Sequence, residues 1–300
     1  MMSEQEKKFK SGFVNIIGNP NTGKSTFLNA MIDYDLAITT PKAQTTRHRI
    51  LGIDNGPDYQ IIFSDTPGII KPAYELQKQM MSSVKEALED ADILLLMVTP
   101  DEEILKDERL TEILRSTKIP LLILLNKIDT ANQEKVEKAM AYWKKILPQA
   151  EIIPISALHG FGLDQVKARI IELLPENPPY FDTDQITDRQ ERFLVSEKIR
   201  EKILLHYKKE IPYAVEVVVE EFKESDDLIK IRATIYVERD SQKGIIIGHR
   251  GSGLKRIGTE ARKDLEKLFG KKVFLELYVK VRKNWRKDER WLKKFGYKKS

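Results

Sequence analysis

The segment Gly18–Ser25, which reads GNPNTGKS, constrains this chain most, because it matches the pattern G-x-x-x-x-G-K-[S/T] without a gap. The apolar run Phe13–Ile17 precedes it and a helical pattern follows it. A strand, a glycine-rich turn and a helix in this order present backbone N–H groups to phosphate oxygens at the positive helix end. Lys24 would reach the β- and γ-phosphates, and the Ser25 hydroxyl would bind Mg²⁺. Because both flanks fit, an accidental glycine turn is the less favoured interpretation.

Two further segments follow in the order that such a site requires. Asp65-Thr66-Pro67-Gly68 lies at the end of a predicted strand, where the carboxylate can hold Mg²⁺ and the Gly68 N–H can meet the γ-phosphate. Thr46 lies in a polar loop and can complete the Mg²⁺ shell while the γ-phosphate is present. Each segment alone is a common turn or loop. It indicates a nucleotide site only because of its position after the P-loop in the chain.

The segment Asn126-Lys127-Ile128-Asp129 identifies the base. It follows the buried run Leu121–Leu125, at the carboxyl edge of the sheet. A carboxylate only accepts hydrogen bonds, so Asp129 suits guanine, which presents N1–H and the 2-amino group on one edge. Adenine would leave the carboxylate unpaired, at a large cost in affinity. Ser156-Ala157 would add a backbone N–H to the guanine oxygen. We therefore predict a site for GTP and GDP with Mg²⁺.

The predicted site residues fall into three groups. Nucleotide contacts are assigned to Gly18, Asn19, Pro20, Asn21, Thr22, Gly23, Lys24, Ser25, Thr26, Asp65, Thr66, Pro67, Gly68, Ile69, Asn126, Lys127, Asp129, Ser156 and Ala157. Catalytic roles are assigned to Lys24, Thr46 and Gly68. The Mg²⁺ ligands are Ser25, Thr46 and Asp65.

The order of apolar and helical segments predicts two domains. Residues 1–175 alternate strand and helix, which predicts an α/β P-loop GTPase domain with a mostly parallel sheet and one antiparallel edge strand. A Pro-rich stretch opens a predicted linker over residues 176–187. Residues 188–300 predict a smaller α+β domain, with a helix capped by Asp188 and the order helix, strand, strand, loop, helix, strand.

The loop Gly248-His249-Arg250-Gly251 has the G-x-x-G form of a KH domain, and the element order around it favours the type II arrangement. Such a loop clamps the backbone of single-stranded RNA while the bases occupy a groove beside it. The predicted RNA-binding residues are Lys243, Gly248, His249, Arg250, Gly251, Lys255 and Arg256. A plain turn at the start of a helix is the alternative. The run Ile245–Ile247 is expected to pack into the core beneath the loop.

Charge is divided unevenly along the chain. Residues 243–300 hold nineteen Lys and Arg against six Asp and Glu, a balance of +13 within a chain of net charge +5, which leaves −8 for residues 1–242. A basic end on an acidic body indicates a polyanionic partner. Solvated helix faces are the alternative, but Trp285, Trp291 and Tyr297 lie among these charges. The basic tail, residues 280–299, is a further candidate for contact with RNA.

The nucleotide segments resemble the five motifs of the translation-factor-related GTPases, and residues 44–49, QTTRHR, resemble those of the Era family of bacterial ribosome-assembly GTPases. The likeness covers nearly the whole chain, since residues 186–193 and 244–248 resemble parts of the RNA-binding domain of that family. Thr22 departs from the valine that is common at its position. The resemblance implies a GTP-hydrolysing switch that binds the 3′ end of small-subunit ribosomal RNA and the assembling small subunit.

Ile69 leaves a gap in the chemistry, because Ras-type enzymes place a water-orienting glutamine there. Backbone groups, another side chain or a bound cation must replace it, and we expect slow hydrolysis without help. In similar GTPases an asparagine at the position of Asn21 helps to hold K⁺ beside the β- and γ-phosphates. That Asn21 only shapes the loop is an equally weighted alternative.

Three other function classes compete with the switch. One is a scaffold in which bound GTP is only structural, and Ile69 is compatible with it because this side chain cannot orient a water for hydrolysis. A membrane-surface GTPase would use the basic end on anionic lipid, but a lipid headgroup requires no G-x-x-G clamp. An RNA-modifying enzyme lacks support, because no second catalytic constellation is visible and the four histidines lack metal-ligand spacing.

The cellular location is inferred from what the sequence lacks. The chain contains no cysteine, which excludes disulfides. The charged segment Met1–Lys10 lacks the apolar core of a secretory signal. We expect a cytoplasmic monomer, with peripheral association at the inner face of the cell membrane left open.

Overall fold

A computed structural model of the protein describes residues 8–102, 105 and 107–297. Most of the charged N-terminal segment and the last three residues of the chain lie outside the described residues. The chain divides into two compact units: Met1–Ala37, Thr46–Pro72 and Met80–Asp188 form the first, and Ile38–Thr45, Ala73–Gln79 and Arg189–Ser300 form the second. Within the part that the structure describes, no helix has the length and apolar character needed to cross a membrane.

Strands and helices alternate through the first half of the chain. In chain order they are β1 (Lys10–Ile17), α1 (Lys24–Ile32), β2 (Ile50–Asn55), β3 (Tyr59–Asp65), α2 (Glu75–Glu89), β4 (Ile93–Val98), α3 (Glu108–Ser116), β5 (Leu121–Leu125), α4 (Gln133–Ile146), β6 (Glu151–Pro154) and α5 (Leu163–Leu173).

The first unit contains a six-stranded sheet in the order β2-β3-β1-β4-β5-β6. Only the pairing of β2 with β3 is antiparallel among its described strand pairs. Every residue of β4 and β5 is buried, as expected of parallel strands that are covered on both faces. Since parallel strands end at the same edge, this order brings the segments that follow β1, β3, β4 and β5 together.

The stretch that follows α5, predicted as a linker, is hydrogen bonded to the edge of this sheet. The Ile53 N–H donates to the Ile186 carbonyl at 2.8 Å, and the Thr187 hydroxyl donates to the Leu51 carbonyl at 2.6 Å. Gln60 accepts the N–H of Phe181 at 3.0 Å and donates to the carbonyl of the same residue at 2.8 Å. Residues 180–187 therefore lie along β2, which is the outermost strand of the sheet, and also contact Gln60 of the next strand, β3.

The second half of the chain contains a three-stranded sheet in the order β7-β8-β9 and five α-helices among its described residues. They are α6 (Glu191–His206), α7 (Ile211–Ala214), β7 (Glu216–Glu224), β8 (Leu228–Val237), α8 (Asp240–Ile247), α9 (Ser252–Phe269), β9 (Lys272–Val281) and α10 (Glu289–Lys294). β7 is antiparallel to β8, and β9 is parallel to β8. Helices α6, α8 and α9 bury Ile199, Ile246 and Ile257 completely in the core of this unit.

Two local predictions in this half were wrong. Helix α6 begins at Glu191 with Gln190 as its N-cap, so Asp188 does not cap it. A helix, α8, precedes the G-x-x-G loop, where the sequence order predicted only a loop. Of the three isoleucines at the end of α8, Ile246 is fully buried, whereas Ile245 is 50% exposed, because a helix turns them to different sides.

Candidate functional site

The P-loop lies between β1 and α1, with Gly23 as the N-cap of the helix. Gly23 has φ = +99°, and a Cβ atom there would lie 2.3 Å from the Asn126 amide nitrogen, so only glycine fits. Asn19 and Thr22 are buried, Pro20 is half-buried and Asn21 is exposed. Ser25 and Thr26 occupy the first turn of α1, where its free N–H groups point. The segment thus has the geometry that receives an anion.

Lys24 is turned back over this loop. Its ammonium group donates to the carbonyl oxygens of Gly18 at 3.1 Å and Asn19 at 2.8 Å. Burial lowers the pKa of Lys24 to about 8, although the negative charges of Asp65 and Glu102 oppose this shift. A buried ammonium that is held by neutral carbonyls is poised to interact with phosphate oxygens.

Three oxygen-bearing side chains meet beside Lys24. The Ser25 hydroxyl donates to Asp65 Oδ2 at 2.6 Å and lies 2.9 Å from the Thr46 hydroxyl, which lies 3.3 Å from the same Oδ2. Burial raises the pKa of Asp65, against the effects of Lys24 and of its hydrogen bonds. Among the described residues, Asp65 Oδ1 is buried and has no hydrogen-bond partner. A carboxylate and two hydroxyls fit Mg²⁺, a hard cation that prefers oxygen ligands.

The segment after Asp65 lies against the P-loop through its backbone. The Thr66 hydroxyl donates to the Ile16 carbonyl at 2.7 Å, and the Ile69 N–H donates to the Gly18 carbonyl at 3.0 Å. Pro67 is buried and Gly68 is half-buried between them. The Ile69 side chain is fully buried in the core, so only its backbone reaches the predicted site.

Asn126 ties the base-binding segments to the P-loop. Its amide donates to the Thr22 carbonyl at 2.7 Å, and its Oδ1 accepts the Ala157 N–H at 2.9 Å. Lys127 adds a second connection, because its ammonium group donates to the Asn21 carbonyl at 2.6 Å. Three segments that are far apart in the chain are thereby held in one arrangement.

Asp129 lies beside Ser156, whose hydroxyl donates to Asp129 Oδ1 at 2.6 Å. His159 Nε2 lies 3.8 Å from the other carboxylate oxygen. The Ser156 N–H donates to the Phe161 carbonyl at 3.1 Å, and the Ala157 N–H is bonded to Asn126. The backbone N–H groups of Ser156 and Ala157, one of which we predict to meet the guanine oxygen, are both hydrogen bonded within the protein in this structure.

Glu102, which belongs to none of the sequence motifs, also lies at this site. Its carboxylate accepts the Thr99 N–H at 3.0 Å and is hydrogen bonded to the Asn19 side chain. Burial raises the pKa of Glu102, against these hydrogen bonds and the charge of Lys24. Its position in the chain is the one feature that indicates this place. Glu102 comes soon after β4, which lies beside β1, and residues that follow these strands lie at the carboxyl edge of the sheet.

In the second unit, the predicted RNA-binding residues surround one loop. Gly248 ends α8 and Gly251 is the N-cap of α9, with φ of +72° and +80°. The side chains of His249 and Arg250 are exposed between them. Lys255 and Arg256 are exposed on the first turns of α9, and Lys243 is half-buried on α8. Cationic groups thus flank the loop on both sides.

A groove with a volume of about 400 Å³ lies between α9 and β9 and begins at this loop. It is lined by Gly251, Leu254, Lys255, Gly258, Thr259, Arg262, Leu275 and Leu277. Three leucines give the groove aliphatic surface, and Lys255 and Arg262 give it two cationic side chains. Apart from Gly251 and Lys255, these positions were not predicted from sequence, because their proximity depends on how α9 packs on β9. The groove has the character of a binding site for unpaired bases.

Two tryptophans of the basic end have structural partners. Trp285 is fully buried, and its indole N–H donates to the Ala214 carbonyl at 3.1 Å. The Trp291 ring lies 5.3 Å from the Phe295 ring, and the Arg282 guanidinium lies 4.5 Å from the centre of the Trp291 ring. Trp285 is therefore part of the core of this unit rather than an RNA contact.

Comparison with known protein families matches each half of the chain separately. Residues 13–127 match the model for 50S ribosome-binding GTPases, and residues 210–286 match the model for KH domains. Together they confirm the predicted fold class, a P-loop GTPase domain followed by a KH domain.

Individual relatives match along almost the whole length. The GTPase Era of Staphylococcus haemolyticus is 48% identical over 96% of this chain and 97% of its own. Two solved structures, each 39% identical, cover 96% of this chain and 99% of their own. One is Era in complex with MgGDPNP and nucleotides 1506–1542 of 16S ribosomal RNA, with a TM-score of 0.93. The other is a single-residue variant of Aquifex aeolicus Era bound to GDP·AlF4⁻, with a TM-score of 0.92.

Proposed function

Because the chain belongs to the Era family of GTPases, we propose that it is a GTP-hydrolysing switch in the assembly of the small ribosomal subunit. It binds small-subunit ribosomal RNA near the 3′ end and hydrolyses GTP to GDP and phosphate. The nucleotide part of this proposal rests on one observation. The side chains of Ser25, Thr46 and Asp65 are hydrogen bonded to one another beside Lys24. A P-loop ammonium and a Mg²⁺-type oxygen set in one place support phosphoryl-transfer chemistry.

In the proposed complex the P-loop backbone and Lys24 hold the β- and γ-phosphates of GTP. Ser25, Thr46 and Asp65 would hold Mg²⁺, which would offset the negative charge of the phosphates when bound. Asp65 Oδ1, buried without a partner among the described residues, supports this role. Asp129 accepts the N1–H and 2-amino donors of guanine.

Hydrolysis joins the oxygen of a water molecule to the γ-phosphorus and breaks the bond from that phosphorus to the β–γ bridging oxygen. One proton of the water passes to an oxygen of the γ-phosphate, so the products are inorganic phosphate and GDP. Lys24 stabilises the charge that grows on the leaving oxygen, and the Gly68 N–H lies at the γ-phosphate. Since the Ile69 side chain is in the core, it orients no water, and intrinsic turnover is slow.

The RNA half of the proposal is supported by the groove and loop of the second unit. The G-x-x-G backbone receives the phosphates of a single strand, and the aliphatic surface of Leu254, Leu275 and Leu277 in the groove receives its bases. The related Era complex contains nucleotides 1506–1542 of 16S ribosomal RNA. The same end of the small-subunit RNA is the target that we propose for this chain.

The switch depends on Thr46. With GTP and Mg²⁺ bound, the Thr46 hydroxyl would be a ligand of the ion and the loop around it would be ordered. After hydrolysis that contact would be lost. The KH domain reads the difference as a change in RNA affinity. We propose that the protein acts in the cytoplasm as a monomer, and peripheral contact with the membrane would use the same basic end.

Filter binding with labelled fragments of small-subunit ribosomal RNA tests the proposal. The full chain is measured with a non-hydrolysable GTP analogue and with GDP, each with Mg²⁺. We expect binding of the 3′-terminal fragment, an affinity that differs between the two nucleotides, and release of phosphate from GTP in a parallel assay. Equal RNA affinity in both states would contradict the switch, and binding of GTP without phosphate release would leave only a scaffold.

A further inference from the structure

Glu102 is a half-buried acidic group beside the P-loop that the GTPase mechanism does not use. It lies four residues beyond the end of β4, and its own N–H donates to the Thr99 carbonyl at 3.0 Å. In return its carboxylate accepts the Thr99 N–H at 3.0 Å. This reciprocal pair of bonds fixes the carboxylate at the end of the sheet, next to the P-loop.

The carboxylate is connected to Lys24 through Asn19. The Asn19 side chain is hydrogen bonded to Glu102, while the Asn19 carbonyl accepts the Lys24 ammonium at 2.8 Å and the Thr22 hydroxyl at 3.1 Å. Asn19 is buried, with 3% of its surface exposed. Glu102 therefore supports the residue whose backbone holds both the P-loop lysine and the turn that follows.

The charge of Glu102 also acts on Lys24 directly. Two carboxylates, Asp65 and Glu102, stabilise the Lys24 ammonium. Asp65 has a proposed role as a Mg²⁺ ligand. Glu102 has no such role and lies on the β4 side of the P-loop. A negative charge in this place stabilises the lysine but repels the phosphates that Lys24 is placed to bind.

We propose that Glu102 is a positioning residue with two opposed effects on nucleotide affinity. Its hydrogen bond holds Asn19 and the P-loop in shape, and its negative charge weakens the binding of GDP and GTP and speeds their release. The inference rests on the proposed GTP site. We therefore expect the wild-type protein to bind GDP and GTP less tightly than the same P-loop would without the charge of Glu102.

The variant Glu102→Gln separates the two effects, because it keeps the shape and one acceptor but removes the charge. We expect its dissociation constants for fluorescent GDP and GTP analogues, in excess Mg²⁺, to fall by on the order of tenfold, with slower release. KM for GTP should fall while kcat changes little. Glu102→Ala loses the support of Asn19 as well and should bind less tightly than Glu102→Gln.

Asp101→Asn is the matched control. It also removes one negative charge, at the neighbouring position, but its side chain is exposed and paired with Lys135. We expect nucleotide affinity close to that of the wild type. Unchanged or weaker binding by Glu102→Gln would overturn the proposal and leave Glu102 a structural residue. A wild-type protein that bound no GTP would instead refute the proposed function, so the two failures are distinguishable.

Discussion

The Ser156 hydroxyl donates a hydrogen bond of 2.6 Å to Asp129 Oδ1 and so fixes the orientation of that carboxylate. A hydrogen bond of this kind leaves Oδ2 as the freer acceptor, 3.8 Å from His159 Nε2. The two bonded residues belong to different motifs, and their contact joins the segments that follow β5 and β6. Nucleotide affinity should therefore depend on both residues, and base preference on Asp129.

Asp129→Asn should shift the preference from guanine to xanthine nucleotides. Xanthine carries a carbonyl in place of the 2-amino group, and the asparagine amide can donate to it, whereas guanine would meet a mismatched donor. We expect GDP affinity to fall by roughly a hundredfold and xanthosine diphosphate affinity to rise, both measured by displacement of a fluorescent nucleotide. Ser156→Ala serves as the comparison and should weaken both nucleotides modestly without a change in preference. An Asp129→Asn protein that still prefers GDP would remove this residue from the base pocket.

Potassium should stimulate GTP turnover if Asn21 holds a cation. Asn21 has φ = +66°, a conformation that alanine adopts at a cost, so Asn21→Gly is the better variant: it keeps the backbone and removes the side chain. We expect higher turnover when K⁺ replaces Na⁺ at constant ionic strength, and no such rise in Asn21→Gly. GDP binding by the variant must persist for the comparison to hold. A K⁺ effect that survives in Asn21→Gly would assign the residue to loop shape alone.

Gly251→Asp should weaken RNA binding and leave GTP turnover unchanged. A Cβ atom at Gly251 meets no atom within 4 Å, and aspartate tolerates its left-handed φ, so the variant should fold. The added negative charge opposes the phosphates, and we expect roughly tenfold weaker binding of the 3′-terminal fragment, with a smaller salt dependence. Gly248→Asp is unsuitable, because its Cβ would lie 2.8 Å from the Gly253 nitrogen.

Gly270→Asp is the control for this experiment. Gly270 is the C-cap of the same helix, has φ = +65° and is equally open, so the backbone cost is matched at the far end of α9. Its RNA affinity should stay near that of the wild type. Tight binding by a folded Gly251→Asp protein would move the RNA site away from the loop and toward the basic tail.

Trp285→Ala should destabilise the second unit by about 3–5 kcal/mol, the usual cost of deleting a buried aromatic side chain. Trp285→Phe keeps most of the volume and loses the hydrogen bond to Ala214, so it should cost about 1–2 kcal/mol. Urea unfolding followed by circular dichroism measures both, and the transition of this unit should move to lower urea. Normal unfolding combined with lost RNA binding would show instead that Trp285 contacts RNA.

The nucleotide segments could be predicted from sequence because each one directly follows an apolar strand, and parallel strands end at a common edge. Glu102 was missed because it belongs to no motif, and its position soon after β4 indicates the site only once β4 is known to lie beside β1. Helix α8 was missed for another reason: Gly244 and three successive isoleucines disfavour a helix locally. The burial of Ile246 in the core offsets that preference.

The bonds from residues 186 and 187 to β2 have a consequence for solubility. An outermost strand with unpaired N–H and C=O groups can recruit the same strand of another molecule. Here the Ile53 N–H and the Leu51 carbonyl are already occupied by Ile186 and Thr187. A chain that stopped at Pro175 would expose these groups, and such a fragment should form oligomers through β2 at concentrations where the full chain stays dispersed.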